Sequence, residues 1–326
     1  MRAIEKAWFD GSKWVWLLAP LSLLFFLISS IRRALFRLGI KASGKPNVPV
    51  IVVGNISVGG NGKTPTVLAL CEFLVSQGYT PGIVSRGYGA KCKTFPHLIT
   101  SKDHSEFVGD EPFLMFQRLK MPVVIDPVRR RGAKYLTEQC ACNIIVCDDG
   151  LQHYALERDI ELVIIDGERR HGNGYLLPMG PLREGPWRLS SVDAVLVNGG
   201  EARAGEFPMH LQAGDLVNIN HGEHRLPVSQ VSDSVLAFAG IGNPQRFFTT
   251  LEQNQIDVET QLSFPDHHHF QPTDIPHFDG MVIMTEKDAV KCREFAKDNW
   301  WYLPVEGKLP DTFFDHLSQK LRKISA

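Results

Sequence analysis

No sign of charge dominates this chain. Lysine and arginine number 35 against 36 aspartates and glutamates, a formal net charge of −1 over 326 residues. Bulk nucleic-acid binding, which needs a strong basic excess, finds no support in that balance. Cysteine is scarce: the six residues (71, 92, 140, 142, 147 and 292) form no C-x-x-C pair. Most sit in apolar runs and read as reduced core residues of a cytosolic body. Low-complexity tracts and internal repeats are missing. No G-x-G-x-x-G opens the first helical pattern after a strand, which weighs against a dinucleotide fold.

Charge is also missing locally. From Trp14 to Ile31 the run WVWLLAPLSLLFFLISSI carries none, and as a helix it would measure roughly 27 Å, just short of the hydrocarbon thickness of a bilayer. Arg32, Arg33, Arg37, Lys41 and Lys45 follow at once. No small-x-small cleavage site precedes the arginines, so a cleaved signal peptide is disfavoured. Residues 1–40 are expected to form a membrane-associated helix. It either spans with its basic side in the cytoplasm, or lies at the interface with Leu21, Leu24, Phe25, Ile28, Leu35 and Phe36 in lipid. The plain alternative is a core helix packed on the body.

The remaining length suits two domains. The first opens on PVIVVGNISVGGNGKTPTVLAL, from Pro49 to Leu70. Val50 to Val53 reads as a strand buried on both faces, followed by a glycine-rich turn and a helix. Ser57, Val58, Gly59, Gly60, Asn61, Gly62, Lys63 and Thr64 form the expected phosphate-binding loop. Its backbone N–H groups close on phosphate oxygens, Lys63 reaches the β- and γ-phosphates, and the Thr64 hydroxyl holds Mg²⁺. Ser57 stands where the usual pattern has glycine, with Gly59 and Gly60 supplying flexibility later.

Strand patterns recur at Pro81–Gly89, Met121–Asp126, Asn143–Cys147, Ile160–Gly167 and Asp193–Gly200, alternating with helical segments. That alternation predicts an α/β fold whose core, over residues 41–208, is a parallel sheet of the P-loop NTPase type. A hairpin linker and a smaller α/β domain are expected over 209–326. Within it VLAFAGIGNPQRFFTTL and MVIMTEKDAV each read strand–turn–helix, WWYLPVEG reads as a closing strand, and a helix ends the chain.

A nucleotide site needs an acid at the end of a neighbouring buried strand. Asp148 and Asp149 end the strand at Asn143–Cys147, and one of them is expected to bind Mg²⁺ directly or through water. Neighbours on a strand face opposite ways, so their roles should differ. Thr285-Glu286-Lys287-Asp288 is a poor guanine-reading loop, its lysine one place late, which disfavours a regulatory GTPase. The consecutive histidines 267, 268 and 269 cannot all converge on one ion, and no partner cluster has zinc spacing.

GNISVGGNGKTP, SRGYG, GDEP, CDDGLQH, GPLRE, FPDHH and TEKDAVK in one chain resemble the tetraacyldisaccharide 4′-kinase family over nearly its full length. The resemblance implies transfer of the ATP γ-phosphate to the 4′-hydroxyl of a tetraacylated glucosamine disaccharide 1-phosphate, giving lipid IVA at the cytoplasmic face of the inner membrane. It implies ATP and Mg²⁺ as cofactors, the lipid and surrounding membrane as partners, and neither nucleic acid nor an obligate protein partner. It also implies that Asp110 of GDEP is the base and that His267 of FPDHH orients it or tunes its acidity. Catalysis would then rest on Asp110, His267, Lys63 and Asp149. Arg86, Arg131, Arg183 and Glu184 match family motif positions; with Glu111 they are candidates for the phosphate and substrate side, arginine suiting bidentate phosphate contact. Of Arg129, Arg130 and Arg131, the last is the expected site residue and the others solvated surface. Lys287, Asp288 and Lys291 read as exposed helix. Two rivals remain: a membrane-tethered ATPase or nucleotide switch without a sugar acceptor, and an ATP-dependent ligase, for which a third domain has too little chain.

Overall fold

The structure, a computed structural model, describes residues 3–325. Eight strands precede the point where the chain first leaves its larger body: β1 (Val50–Gly54), β2 (Pro81–Ser85), β3 (His97–Leu98), β4 (Val123–Ile125), β5 (Ile144–Asp148), β6 (Ile160–Asp166), β7 (Ala194–Asn198) and β8 (Phe207–Ala213). Seven follow: β9 (Leu216–Asn218), β10 (Arg225–Leu226), β11 (Val235–Ala239), β12 (Val258–Ser263), β13 (Met281–Thr285), β14 (Trp300–Leu303) and β15 (Val305–Lys308). Among the described residues one sheet runs β15-β8-β7-β6-β1-β5-β2-β4-β3 and the other β10-β9-β14-β13-β11-β12.

From β8 to β4 every pair in the larger sheet is parallel, as the strand–helix alternation predicts. All five residues of β1 are buried, so its unbroken β-branched run is what a strand covered on both faces requires. The helix Lys63–Ser76 buries Val67, Leu68, Leu70, Cys71 and Leu74. It lies between the sheet and the C-terminal helix, whose Phe313, Leu317 and Leu321 share its core.

That packing corrects the expected division at residue 208. WWYLPVEG is not one strand. Pro304 lacks an N–H to continue the ladder, and the run splits there: β14 pairs with β13 in the smaller sheet, β15 with β8 in the larger. Residues 209–213 and everything from Val305 onward therefore belong to the first body. The chain crosses between bodies twice, side by side, where the Gly214 N–H donates to the Pro304 carbonyl at 3.0 Å.

At the N-terminus a 3₁₀ turn, Lys13–Leu18, runs into the helix Ala19–Arg37. This 25-residue element is long and apolar enough to cross a membrane, and only 11% of its most apolar window is buried. A core helix would be mostly covered, so the plain alternative fails. Leu21, Leu23, Leu24, Phe26, Leu27, Ile28 and Ile31 are all exposed. One narrow strip touches the body. Ser22 Oγ donates to the Leu176 carbonyl at 3.0 Å and accepts from the Met179 N–H at 2.9 Å. Eleven residues on, the Arg33 guanidinium lies 4.0 Å over the Trp187 ring and 3.6 Å from Glu184.

Candidate functional site

The chain enters the site from β1. Val53 pairs with Asp148 across the β1–β5 ladder, so the loop after β1 and the acids after β5 emerge side by side. Gly62, at φ +95°, ends the loop; a Cβ there would stand 2.4 Å from Asn198 Nδ2, so glycine is obligatory. The Asn198 amide donates to the Asn61 carbonyl at 3.1 Å, and Asn61 donates to Ser57 Oγ at 3.0 Å. Ser57 is not among the residues with positive φ, which is why a side chain is tolerated where the usual pattern has glycine. Its hydroxyl pins the loop instead. Val58 is held through its N–H to Pro181 at 2.9 Å, while no Cβ contact restrains Gly59 or Gly60.

Lys63 Nζ lies 3.6 Å from Asp149 Oδ1. Asp149 sits at φ +45°, a left-handed conformation that Asp adopts at little cost, and this turns its carboxylate toward the loop. Arg183 reaches the same carboxylate at 3.1 and 3.2 Å. Burial pushes the Asp149 carboxyl up, but Lys63 and Arg183 outweigh it and the group titrates below the usual range. Asp148 behaves oppositely. Burial, aided by the charges of Glu111 and Asp149, raises it to about 7. Ser85 Oγ donates to one oxygen at 3.2 Å, and Oδ1 is buried with no hydrogen-bond partner among the described residues. A buried carboxylate oxygen without a donor, in a crowd of negative charge, is what a divalent cation would relieve. Together with the Thr64 hydroxyl at the helix start, the donor set is all oxygen and suits Mg²⁺.

The other half of the site is built from two bodies. Asp110 begins the helix Asp110–Leu119 on the larger one, after Gly109 at φ +96°. His267 comes from the loop after β12. His267 Nδ1 lies 3.1 Å from Asp110 Oδ2. Burial pushes the Asp110 carboxyl up, but the His267 contact and the charges of Lys291 and Lys287 prevail and hold it below the ordinary value. The smaller body also roofs the phosphate loop, since a Cβ on Gly242 would come within 3.4 Å of the Gly60 nitrogen. The three histidines part company, His268 pairing with Asp274 at 2.9 Å and His269 facing solvent.

Three sequence expectations change. Arg131, the expected site residue of its cluster, is engaged by Asp126 at 2.7 and 2.9 Å. Arg129 is the buried member, 3% exposed, with its Nε unpartnered, and its charge acts on Asp148 and Asp149. Glu184 does not face the phosphate loop's ligands freely. It accepts from Tyr154 and Gln152 and lies 3.6 Å from both Arg33 and Arg188, joining the N-terminal helix to the body. Lys287, Asp288 and Lys291 are not exposed helix. Asp288 is fully buried, Lys291 lies 2.6 Å from it, and Lys287 is buried among acids. Arg86 is exposed and has no ion pair among the described residues. His153, quoted within CDDGLQH but given no role, is held down to about 4 by burial and by Arg129, Arg158, Arg32 and Arg86. The positive surroundings therefore favour the neutral imidazole.

A cavity of about 800 Å³ opens at the foot of the N-terminal helix, lined among others by Arg33, Arg37, Tyr154, Arg158, Trp187 and Arg188.

A family model described as Tetraacyldisaccharide-1-P 4′-kinase (LpxK) matches residues 14–322. The chain is similar to the tetraacyldisaccharide 4′-kinase of Pseudoalteromonas atlantica, 52% identical over 305 residues that cover 94% of this chain and 99% of that one. It is also similar to that of Tolumonas auensis, 50% identical over 325 residues and 98% of each chain. Among solved structures it matches LpxK from Aquifex aeolicus, crystallised in complex with ATP, with a TM-score of 0.82 and 30% identity over 95% of this chain and 99% of that one.

Proposed function

The chain belongs to the tetraacyldisaccharide-1-P 4′-kinase family, and on that premise we infer how its residues carry the ATP γ-phosphate to the 4′-hydroxyl of a tetraacylated disaccharide 1-phosphate. One observation carries the reading: Asp110 and His267, 157 residues apart, meet at 3.1 Å across two bodies whose junction covers the phosphate loop. Such a pair is placed to take the proton of an attacking hydroxyl, and the family match favours an alcohol over water as that acceptor.

In this reading the backbone of residues 57–64 and Lys63 hold the triphosphate. Thr64, Asp148 and Asp149 would hold Mg²⁺, which when bound neutralises charge on the β- and γ-phosphoryl oxygens. Arg183, which reaches Asp149 at 3.1 Å, would offer its guanidinium to the transferring group. The acceptor hydroxyl lies against Asp110. As the new O–P bond forms and the bond to ADP breaks, the hydroxyl proton passes to the Asp110 carboxylate, and His267 keeps that carboxylate aimed. Arg86, exposed and without an ion pair among the described residues, is the candidate for the anionic part of the acceptor, while buried Arg129 offsets the charge of Asp148 and Asp149. Glu111, adjacent to Asp148, contributes to the charge a cation must balance.

The N-terminal helix fits a membrane surface better than a span. Its contacts to the body at Ser22 and Arg33 lie about 16 Å apart along its axis, so crossing the bilayer would drag the body into hydrocarbon. Lying flat, with the remaining circumference in the acyl layer and Arg32, Arg33 and Arg37 at the headgroups, costs nothing of that kind. The phosphate loop's need for nucleotide supports the cytoplasmic face of the inner membrane as the location, where the acceptor's chains can stay in lipid while its headgroup reaches the cleft.

Incubating the protein with γ-labelled ATP and the lipid disaccharide monophosphate tests the reading. Label on the lipid is expected. ATP hydrolysis indifferent to the lipid, with none of the label transferred, refutes it.

A further inference from the structure

His267 is held at φ +59°, a conformation that an L side chain keeps only when its surroundings impose it. What imposes it is visible one residue back. Asp266 Oδ1 accepts the His267 backbone N–H at 3.1 Å and lies 3.1 Å from Lys287 Nζ. The same ammonium is 3.4 Å from Glu111 Oε1 on the other body. Lys287 thus stands between the two acids that flank the Asp110–His267 pair, with its side chain only 15% exposed.

We propose that Lys287 is a positioning residue of the phosphotransfer site: seated between Glu111 and Asp266, it locks the loop bearing His267 onto the body bearing Asp110. The proposal rests on the kinase reading above. Its logic is electrostatic as well as steric. Asp110, Glu111 and Asp266 bring three negative charges to one junction. The groups facing Asp110 are Glu111 on its own helix, Asp266 and His267 on the loop, Lys287 and Lys291 on the helix Glu286–Cys292, and Tyr88, whose ring is 5.3 Å from that of His267. Lys291 is already engaged by Asp288 at 2.6 Å. Removing Lys287 would leave the junction with an uncompensated excess of carboxylates. Burial alone would lower the Lys287 ammonium's pKa, yet Glu111, Asp266 and Asp110 more than offset it and keep the group charged. Arg118 and Glu286, at 3.0 Å, supply a second ion pair between the bodies, so the junction can persist without Lys287 while the loop loses its lock.

The test uses Lys287→Met, Lys287→Arg and Asp266→Asn in the full-length protein, assayed for transfer of label to the lipid across pH. Lys287→Met is expected to lower kcat by roughly ten- to a hundredfold, the cost of a misplaced reacting group, with KM for ATP changed less than about threefold. Its acid limb in kcat/KM should move up by about half to one pH unit, because a cation beside the pair has been removed. Asp266→Asn should move that limb the other way, because an anion has been removed. Lys287→Arg keeps the charge and should recover most of the lost turnover. Opposed limb shifts with rescue by arginine establish the proposal. Wild-type turnover in Lys287→Met overturns it, as does a loss of turnover in which neither variant moves the limb. Should Lys287→Met fail to fold, the Asp266→Asn limb shift and turnover decide alone. If the wild-type protein itself leaves the lipid unlabelled, it is the kinase reading that fails.

Discussion

Replacing Asp110 with Asn keeps the shape of the side chain and removes its ability to take a proton. Loss of a general base costs about 10²- to 10⁴-fold in rate, and the surroundings of Asp110 argue for the lower part of that range. A carboxylate held below its ordinary pKa by His267, Lys291 and Lys287 is a weak base, and Brønsted behaviour makes a weak base contribute less. A fall of about 10²- to 10³-fold is therefore expected, equivalent to roughly 2.7–4 kcal/mol of barrier. No nearby group can substitute, because Glu111 and Asp266 are both engaged by Lys287. Neither Asp110 nor His267 is among the partners of the phosphate loop, so KM for ATP should stay within about threefold. The sign of the pH effect follows from the lowered pKa. The wild-type base is ionised throughout pH 5–8 and its contribution is lost only as pH falls through the depressed value, so the acid limb from Asp110 lies below that range, and it is there that the Lys287 and Asp266 variants should shift it. The assay is steady-state transfer of label from γ-labelled ATP to the lipid, with a thermal melt to show the variant folded. Turnover within twofold of wild type would remove Asp110 from the role of base.

Lys63→Ala and Asp149→Ala should each abolish transfer through lost phosphate and metal contacts, and near-wild-type turnover by either would break the site assignment. Arg129→Ala should lower turnover more than Arg131→Ala, since the first is buried toward Asp148 and Asp149 and the second is bound to Asp126 at the surface; equal effects in the same kinetic assay would contradict that ranking. Deleting residues 1–40 should release the protein from membranes in a sedimentation assay with lipid vesicles, and a truncated protein that still pellets fully would show that other surfaces anchor it.

Local pattern was enough for the elements that hold the phosphate. The β1 run, the glycine turn and the helix after Lys63 are contiguous, and each has its own period or turn chemistry. The neighbouring acids were legible too, because a buried strand ending in Asp-Asp is itself a local signal. What escaped was decided by partners remote in sequence. Lys287 reads as a solvated helix lysine until Glu111, 176 residues earlier, is seen beside it. Arg129 and Arg131 share a helix start and identical chemistry, and only the fold puts one under Asp148 and the other against Asp126. Strand β15 was hidden because only its first residue, Val305, continues the apolar run and Glu306 and Lys308 give it no strand pattern of its own; nothing in WWYLPVEG says that the halves on either side of Pro304 join different sheets. The family resemblance supplied Asp110 and His267, which no spacing rule would have paired.

The paired crossing at Gly214 and Pro304 has a mechanical consequence. Two adjacent, mutually bonded crossings resist sliding but can bend together, so the easiest motion they would allow the smaller lobe, once the contacts at Arg118–Glu286 and Lys287–Glu111 release, is a swing about that seam. Gly214, with Pro304 the near neighbour its missing side chain would meet at 3.3 Å, is the pin. Motion about it is greatest at the rim farthest from the seam. Residues on that rim would separate on each outward swing, opening a way for spent nucleotide to depart and fresh nucleotide to enter. A pair of distance labels placed either side of the gap, read with and without ATP, would report the travel, and a gap that never changes would show the door to be fixed.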